Sequence, residues 1–140
     1  MDIEKKREII LHNFENPKNR GLVVDDNYET VNTRNDSCID KIDMMINVEN
    51  EIIKDIKFDG EACAITISST SIMIQRLVGL SIKEAILVVD NFESMIEGKS
   101  YDKELLKEAL CYDDISKQPS RKTCALLPWK GIRDLLINKL

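Results

Sequence analysis

The spacing of apolar residues changes near residue 60, and this change limits the folds open to the chain. Before it, apolar and polar residues alternate through 39–48 and 52–58, as they do in half-buried strands. Glu49-Asn50 suits a tight antiparallel hairpin between them, and a further short strand is predicted at 31–34. After it, apolar residues recur at helical spacing. The pattern predicts an α+β fold, a small three-stranded antiparallel sheet packed against several helices.

Turn and capping residues predict where these elements end. Asp59-Gly60 is expected to end the last strand, and Ser81 with Glu84 forms a capping-box pattern at a helix start. Pro128 predicts an early start, a kink or a split in the final helix. The predicted helices are residues 3–14, 65–77, 81–98, 101–110 and 121–137.

Length and composition favour one globular domain spanning residues 1–140. Hydrophobic residues make up 43% of the chain, enough for a core, and the net charge of −5 argues against nucleic acid as a partner. No run of about 18 apolar residues is present, so no membrane span is predicted. The charged N-terminus lacks the apolar core of a signal peptide, so we expect a cytoplasmic protein whose four cysteines stay reduced.

Three of the cysteines lie at the ends of predicted elements. Cys38 precedes a strand and is followed by Asp40, Cys63 follows the last strand, and Cys124 lies near the start of the final helix. Thiolates and carboxylates are both ligands of Zn²⁺, and four of them complete a tetrahedron. The spacing alone leaves open that these are simply small buried residues. Cys111, inside a predicted helix, is assigned to packing.

Several ordered segments match the motifs of a known family, namely residues 10–21, 36–40, 58–65, 68–73, 92–99 and 121–130. Together they resemble the SufU type of the IscU/NifU-like iron–sulfur cluster assembly family. The resemblance extends over nearly the whole chain and implies the IscU/SufU-like fold. Ile39 and Ala62 stand where the family usually has glycine, so we expect the loops there to be reshaped.

The residues around the third cysteine distinguish two branches of this family. Scaffold-type members have a histidine immediately before that cysteine, where this chain has Thr123, and the only histidine here is His12. SufU-type members have instead an arginine three residues before it, which is Arg121. The resemblance therefore implies a zinc-dependent sulfur acceptor that takes persulfide sulfur from a SufS-type cysteine desulfurase and supplies downstream cluster-assembly proteins. Two alternatives remain open, a scaffold for a labile [2Fe–2S] cluster and an adaptor whose zinc is structural.

The resemblance also implies the roles of individual residues. The metal, Zn²⁺ or in the alternative iron, is expected on Cys38, Asp40, Cys63 and Cys124. Cys124 is expected to accept the sulfur, with Arg121 as its electrostatic helper. Two of these assignments have simpler alternatives, because Asp40 could be a solvent-facing strand residue and Arg121 an ordinary surface residue.

Overall fold

The three predicted strands form one antiparallel sheet in the order β1-β2-β3. The computed structural model describes residues 1–34 and 40–140. In it β1 spans Glu29–Arg34, β2 spans Lys41–Glu49 and β3 spans Ile52–Glu61. The predicted start of the second strand at Ile39 lies outside the described residues. The α+β class predicted from the apolar spacing is confirmed.

A bulge in the hairpin between β2 and β3 decides which residues of β3 face the core. Ile46 pairs with Ile56 but Val48 pairs with Ile53, so β3 has one more residue than β2 between the two pairs. A bulge of this kind shifts the alternation of side chains by one position. Ile53, Ile56 and Phe58 are consequently all fully buried, although strict alternation would not place the first two on one face.

The prediction that Asp59-Gly60 ends the sheet is wrong, because β3 continues to Glu61. Gly60 pairs with Ile42 of β2 and has a φ of +140°. A Cβ atom at this position would lie 1.9 Å from the carbonyl oxygen of Lys41. The glycine therefore allows close approach of two strands here rather than a turn.

Within residues 1–34 and 40–140, five α-helices accompany the sheet. They are α1 (Ile3–Glu15), α2 (Ala64–Leu77), α3 (Ile82–Ile96), α4 (Lys103–Leu106) and α5 (Pro119–Ile137). The capping box predicted at the start of α3 is present, with Ser81 Oγ accepting from the Glu84 amide at 3.1 Å. Among the described residues, no helix is long and apolar enough to cross a membrane.

One helix prediction needs correction, and the final helix is confirmed with an early start. The helix predicted at 101–110 is α-helical only in α4, and 3₁₀ turns follow at Lys107–Tyr112 and Ile115–Lys117. Lys107 interrupts it with a φ of 50° and a ψ of −122°, which an α-helix cannot accommodate. The final helix begins at Pro119, where a missing N–H costs nothing, and continues through Pro128 as one element.

The core lies where α2 and α5 meet each other and the sheet. Trp129 of α5 is fully buried and stacks on Phe92 of α3 with ring centroids 3.9 Å apart. The Trp129 Nε1 donates to Ser69 Oγ of α2 at 3.0 Å, and that hydroxyl donates to the Ala125 carbonyl of α5 at 2.7 Å. These bonds fix α5 against α2 immediately beside Cys124.

Candidate metal centre

Three of the four predicted ligands converge at one point of the fold. Asp40 directly precedes β2, Cys63 is the N-cap residue of α2, and Cys124 lies in the second turn of α5. One ligand atom from each lies within 4.8 Å of the other two. Three segments remote in sequence therefore present a carboxylate and two sulfurs to one small volume. Cys38, the fourth predicted ligand, lies outside the described residues.

Asp40 is buried, with 1% of its surface exposed, so the alternative of a solvent-facing strand residue is wrong. Its Oδ1 accepts the backbone N–H of Cys63 at 2.8 Å, and its Oδ2 accepts the hydroxyl of Thr66 at 2.7 Å. Both bonds fix the orientation of the carboxylate, which is a competent ligand for zinc.

Cys63 is placed where its sulfur and the Asp40 carboxylate could share one ion. The distance from Cys63 Sγ to Asp40 Oδ2 is 3.8 Å. Zinc bonds of about 2.3 Å to sulfur and about 2.1 Å to oxygen would separate those atoms by roughly 3.6 Å at a tetrahedral angle. The observed distance is close to this expected separation.

Cys124 completes the group from the opposite helix. Its Sγ has a long contact to the Ser120 carbonyl oxygen, at 3.7 Å, one turn back along α5. Burial raises the pKa of the Cys124 thiol above its usual range, and the neighbouring Cys63 and Asp40 raise it further. Three acidic groups held this close repel one another when ionised, and a divalent cation between them would reverse that effect. The donor set and its spacing therefore fit a thiophilic divalent metal such as Zn²⁺.

Thr66 contacts the centre although sequence reasoning did not single it out. Its hydroxyl lies 2.7 Å from Asp40 Oδ2 and 3.3 Å from Cys63 Sγ, and the residue is fully buried. The available signal was its position three residues after Cys63 in a predicted helix, which places both on the same face.

Arg121 lies near the centre, in the first turn of α5, one turn before Cys124. It is exposed, and within the described residues its side chain forms no ion pair or hydrogen bond. It lines a groove together with Ile10 and Ile65, and Ile65 lies two positions after Cys63 in the chain. This position leaves its guanidinium available to an incoming anionic group, and its role stays a prediction.

The remaining candidates lie apart from the cluster. Cys111 is buried in the 3₁₀ turn after α4, as the packing assignment predicted, and burial raises the pKa of its thiol well above its usual range. His12 is exposed on α1 and is not a member of the metal-capable group found among the described residues. Ala62, at a usual glycine position, adopts no positive φ, so the replacement introduces no backbone strain there.

Comparison with known proteins decides the family. Residues 5–125 match the family model of the NifU-like N terminal domain. The chain belongs to this family. Among its relatives in the NifU-like family, the zinc-dependent sulfurtransferase SufU of Bacillus subtilis (strain 168) is 34% identical over 127 residues, which are 90% of this chain and 85% of SufU. The iron–sulfur cluster assembly scaffold protein IscU of Thermotoga maritima is 33% identical over 129 residues, 92% of this chain and 90% of IscU.

Solved structures agree with this membership. FiSufU, a protein of the SUF system from Fervidobacterium islandicum AW-1, superposes with a TM-score of 0.88 at 31% identity, covering 92% of this chain and 94% of FiSufU. A nitrogen-fixing NifU-like protein from Brucella abortus superposes with a TM-score of 0.83 at 15% identity, over 99% of both chains, which shows the fold alone. The family and the fold predicted from the sequence are both confirmed.

Proposed function

We propose that this protein is a zinc-dependent sulfur acceptor that takes persulfide sulfur from a cysteine desulfurase for iron–sulfur cluster assembly. The observation that carries the proposal is the convergence of Asp40, Cys63 and Cys124 within 4.8 Å of one another. The relative from Bacillus subtilis, named a zinc-dependent sulfurtransferase, supports the same assignment.

The proposed zinc ligands are Cys38, Asp40, Cys63 and Cys124. Three of them meet in the described residues, and Cys38 is placed in the set because it lies two positions before Asp40 in the chain. A zinc ion bound there would keep its cysteine ligands deprotonated at neutral pH. The residues' own contribution is to hold the donors close together before any metal arrives.

Cys124 is the proposed acceptor. Its thiolate would attack the outer sulfur of the donor's persulfide, forming a new S–S bond on Cys124 while the donor's S–S bond breaks and its cysteine leaves as a thiolate. Cys124 suits this role because no side-chain hydroxyl holds its sulfur among the described residues, whereas Cys63 is engaged by Thr66 as well as by Asp40. Arg121, exposed one turn away, would attract the negatively charged persulfide.

A scaffold for a [2Fe–2S] cluster is the second candidate. It is supported by the likeness to the IscU scaffold protein of Thermotoga maritima and by the thiolate ligands, which also hold iron–sulfur clusters. Against it, Thr123 occupies the position of the scaffold histidine, and His12 is exposed on α1, outside the metal-capable group. Anaerobic loading with iron and sulfide separates the two, because a stable visible chromophore at stoichiometric yield would favour the scaffold.

The sulfur-transfer proposal is tested by following the transferred atom. The zinc-loaded protein is incubated with a SufS-type desulfurase and cysteine, alkylated and digested with trypsin. Lysine and arginine positions separate all four cysteines, into peptides 35–41, 58–76, 108–117 and 123–130. We expect one added sulfur on peptide 123–130, and none on peptide 108–117, which contains the buried Cys111.

Two variants complete this test. Cys124→Ser should remain folded by circular dichroism and should no longer stimulate the desulfurase, whereas Cys111→Ser should stimulate it as the wild type does. An adaptor with purely structural zinc predicts instead that Cys124→Ser loses its fold. Absence of added sulfur on every cysteine peptide, with no stimulation by the wild type, would refute the proposal.

A further inference from the structure

The hydroxyl of Thr66 lies between two of the proposed ligands. It donates to Asp40 Oδ2 at 2.7 Å and contacts Cys63 Sγ at 3.3 Å. The same carboxylate accepts the Cys63 backbone N–H through its other oxygen at 2.8 Å. Asp40 and Cys63 are thus joined through the N-cap amide of α2, through the Thr66 side chain, and by the direct contact of Cys63 Sγ with Asp40 Oδ2 at 3.8 Å.

Proton counting shows what this hydroxyl can do. An ionised carboxylate only accepts hydrogen bonds, so the single Thr66 proton is directed to Asp40. Towards Cys63 the hydroxyl then presents lone pairs, which suit a thiol that donates. The hydroxyl therefore holds the carboxylate by donation and contacts the sulfur, so both ligand atoms are kept beside one fixed oxygen.

Among the described residues, no side-chain hydroxyl is hydrogen-bonded to the Cys124 sulfur as Thr66 is to that of Cys63. The Cys124 Sγ lies 3.7 Å from the Ser120 carbonyl oxygen and beside the side chains of Cys63 and Asp40. The two thiols therefore differ in restraint although both are half-buried. A cysteine that must leave the metal in order to react does so more readily when no hydroxyl group holds its sulfur in place.

We propose that Thr66 is a positioning residue that holds Asp40 and Cys63 in place as metal ligands. Cys63 then remains a ligand during the reaction, and the transferred sulfur goes to another cysteine of the site. This second statement rests on the proposed function. Outer hydrogen bonds of this kind typically contribute about 10–100-fold to metal affinity. Thr66 therefore influences both how tightly the metal is held and which thiol reacts.

The test compares three variants of the full chain. Thr66→Val removes the hydroxyl with little change of shape, and Thr66→Ser restores it. Thr70→Val is the matched control, because Thr70 is equally buried on α2 but donates to the Thr66 carbonyl and not to a ligand. Zinc affinity is measured by competition with a chromogenic chelator, and the fold by circular dichroism. We expect Thr66→Val to lose about 10–100-fold in affinity, with Thr66→Ser and Thr70→Val close to the wild type.

The second measurement locates the sulfur after reaction with the desulfurase and cysteine. In the wild type peptide 58–76, which contains Cys63, should carry no added sulfur, and in Thr66→Val it should become labelled. The proposal is overturned if Thr66→Val binds zinc within about twofold of the wild type, or if peptide 58–76 of the wild type is labelled as strongly as the other site peptides. Labelling of no peptide in the wild type would refute the sulfur-acceptor function instead, while the zinc titration would still decide the role of Thr66.

Discussion

Replacing Gly131 with alanine tests whether α5 must lie this close to the sheet. A Cβ atom on Gly131 would meet Thr33 Cγ2 of β1 at 2.3 Å and Met44 Cε of β2 at 3.0 Å. Ordinary carbon contacts are about 3.5–4.0 Å, so α5 or β1 must move by roughly 1 Å. Overpacking of this severity costs up to about 3 kcal/mol, whereas alanine gains about 1 kcal/mol over glycine in a helix interior. The steric cost is larger, and we expect a net destabilisation of about 2 kcal/mol.

Urea unfolding and thermal unfolding of the zinc-loaded protein, both followed by circular dichroism, measure this change. For a chain of this size each kcal/mol of destabilisation lowers the melting temperature by about 3 °C, so the melting temperature should fall by roughly 6 °C. Because Gly131 lies two turns after Cys124 on α5, zinc affinity should fall as well. Lys130→Ala is the control, since Lys130 is exposed on the same helix and should be nearly neutral. A stabilised Gly131→Ala protein with unchanged zinc affinity would refute this reasoning.

Three further predictions concern single contacts. Ser69→Ala should lower the free energy of unfolding by about 1–3 kcal/mol, because it leaves the buried Nε1–H of Trp129 without an acceptor. A urea titration that shows a change under about 0.5 kcal/mol would contradict this. The hydrogen bond to Asp55 raises the pKa of Tyr28 to about 12, so the stability it gives is fully present below pH 10 and is lost as the pH rises towards 12. Tyr28→Phe should remove that part of the alkaline loss of stability, and identical slopes for the two proteins between pH 10 and 12 would contradict the assignment. Iodoacetamide should not modify Cys111 in the native protein and should modify it once the protein is unfolded, because the thiol is buried. Rapid labelling of peptide 108–117 in the native protein would contradict this.

Patterns with a local physical cause were predictable from the sequence. The alternation of apolar residues predicted β2 and β3, and Ser81 with Glu84 marked the start of α3 correctly. The alternation and the capping box each involve residues only a few positions apart. Such local patterns can be recognised from the sequence alone.

Features that depend on distant contacts were not predictable. Asp59-Gly60 has the composition of a turn, and only the closeness of the Lys41 carbonyl shows why a glycine lies within the strand. The α-helix predicted at 101–110 ends at Lys107, whose positive φ has no marker in the local sequence.

The candidate site shows the same division. Asp40, Cys63 and Cys124 could be named in advance because few residue types bind zinc and the family resemblance selected among them. Thr66 was not named, because its spacing of three residues from Cys63 is a weak signal within a run of buried hydroxyl residues on α2. Its role depends on where Asp40 arrives from another part of the chain.

Zinc K-edge X-ray absorption of the purified zinc-loaded protein tests the central claim most directly. A single ion shared by three thiolates and the Asp40 carboxylate predicts three sulfur neighbours at about 2.3 Å and one oxygen at about 2.0–2.2 Å. Cys63→Ser should reduce the sulfur count by one, and Cys111→Ser should leave it unchanged. A first shell made only of nitrogen and oxygen, or one that Cys63→Ser does not alter, would contradict the account.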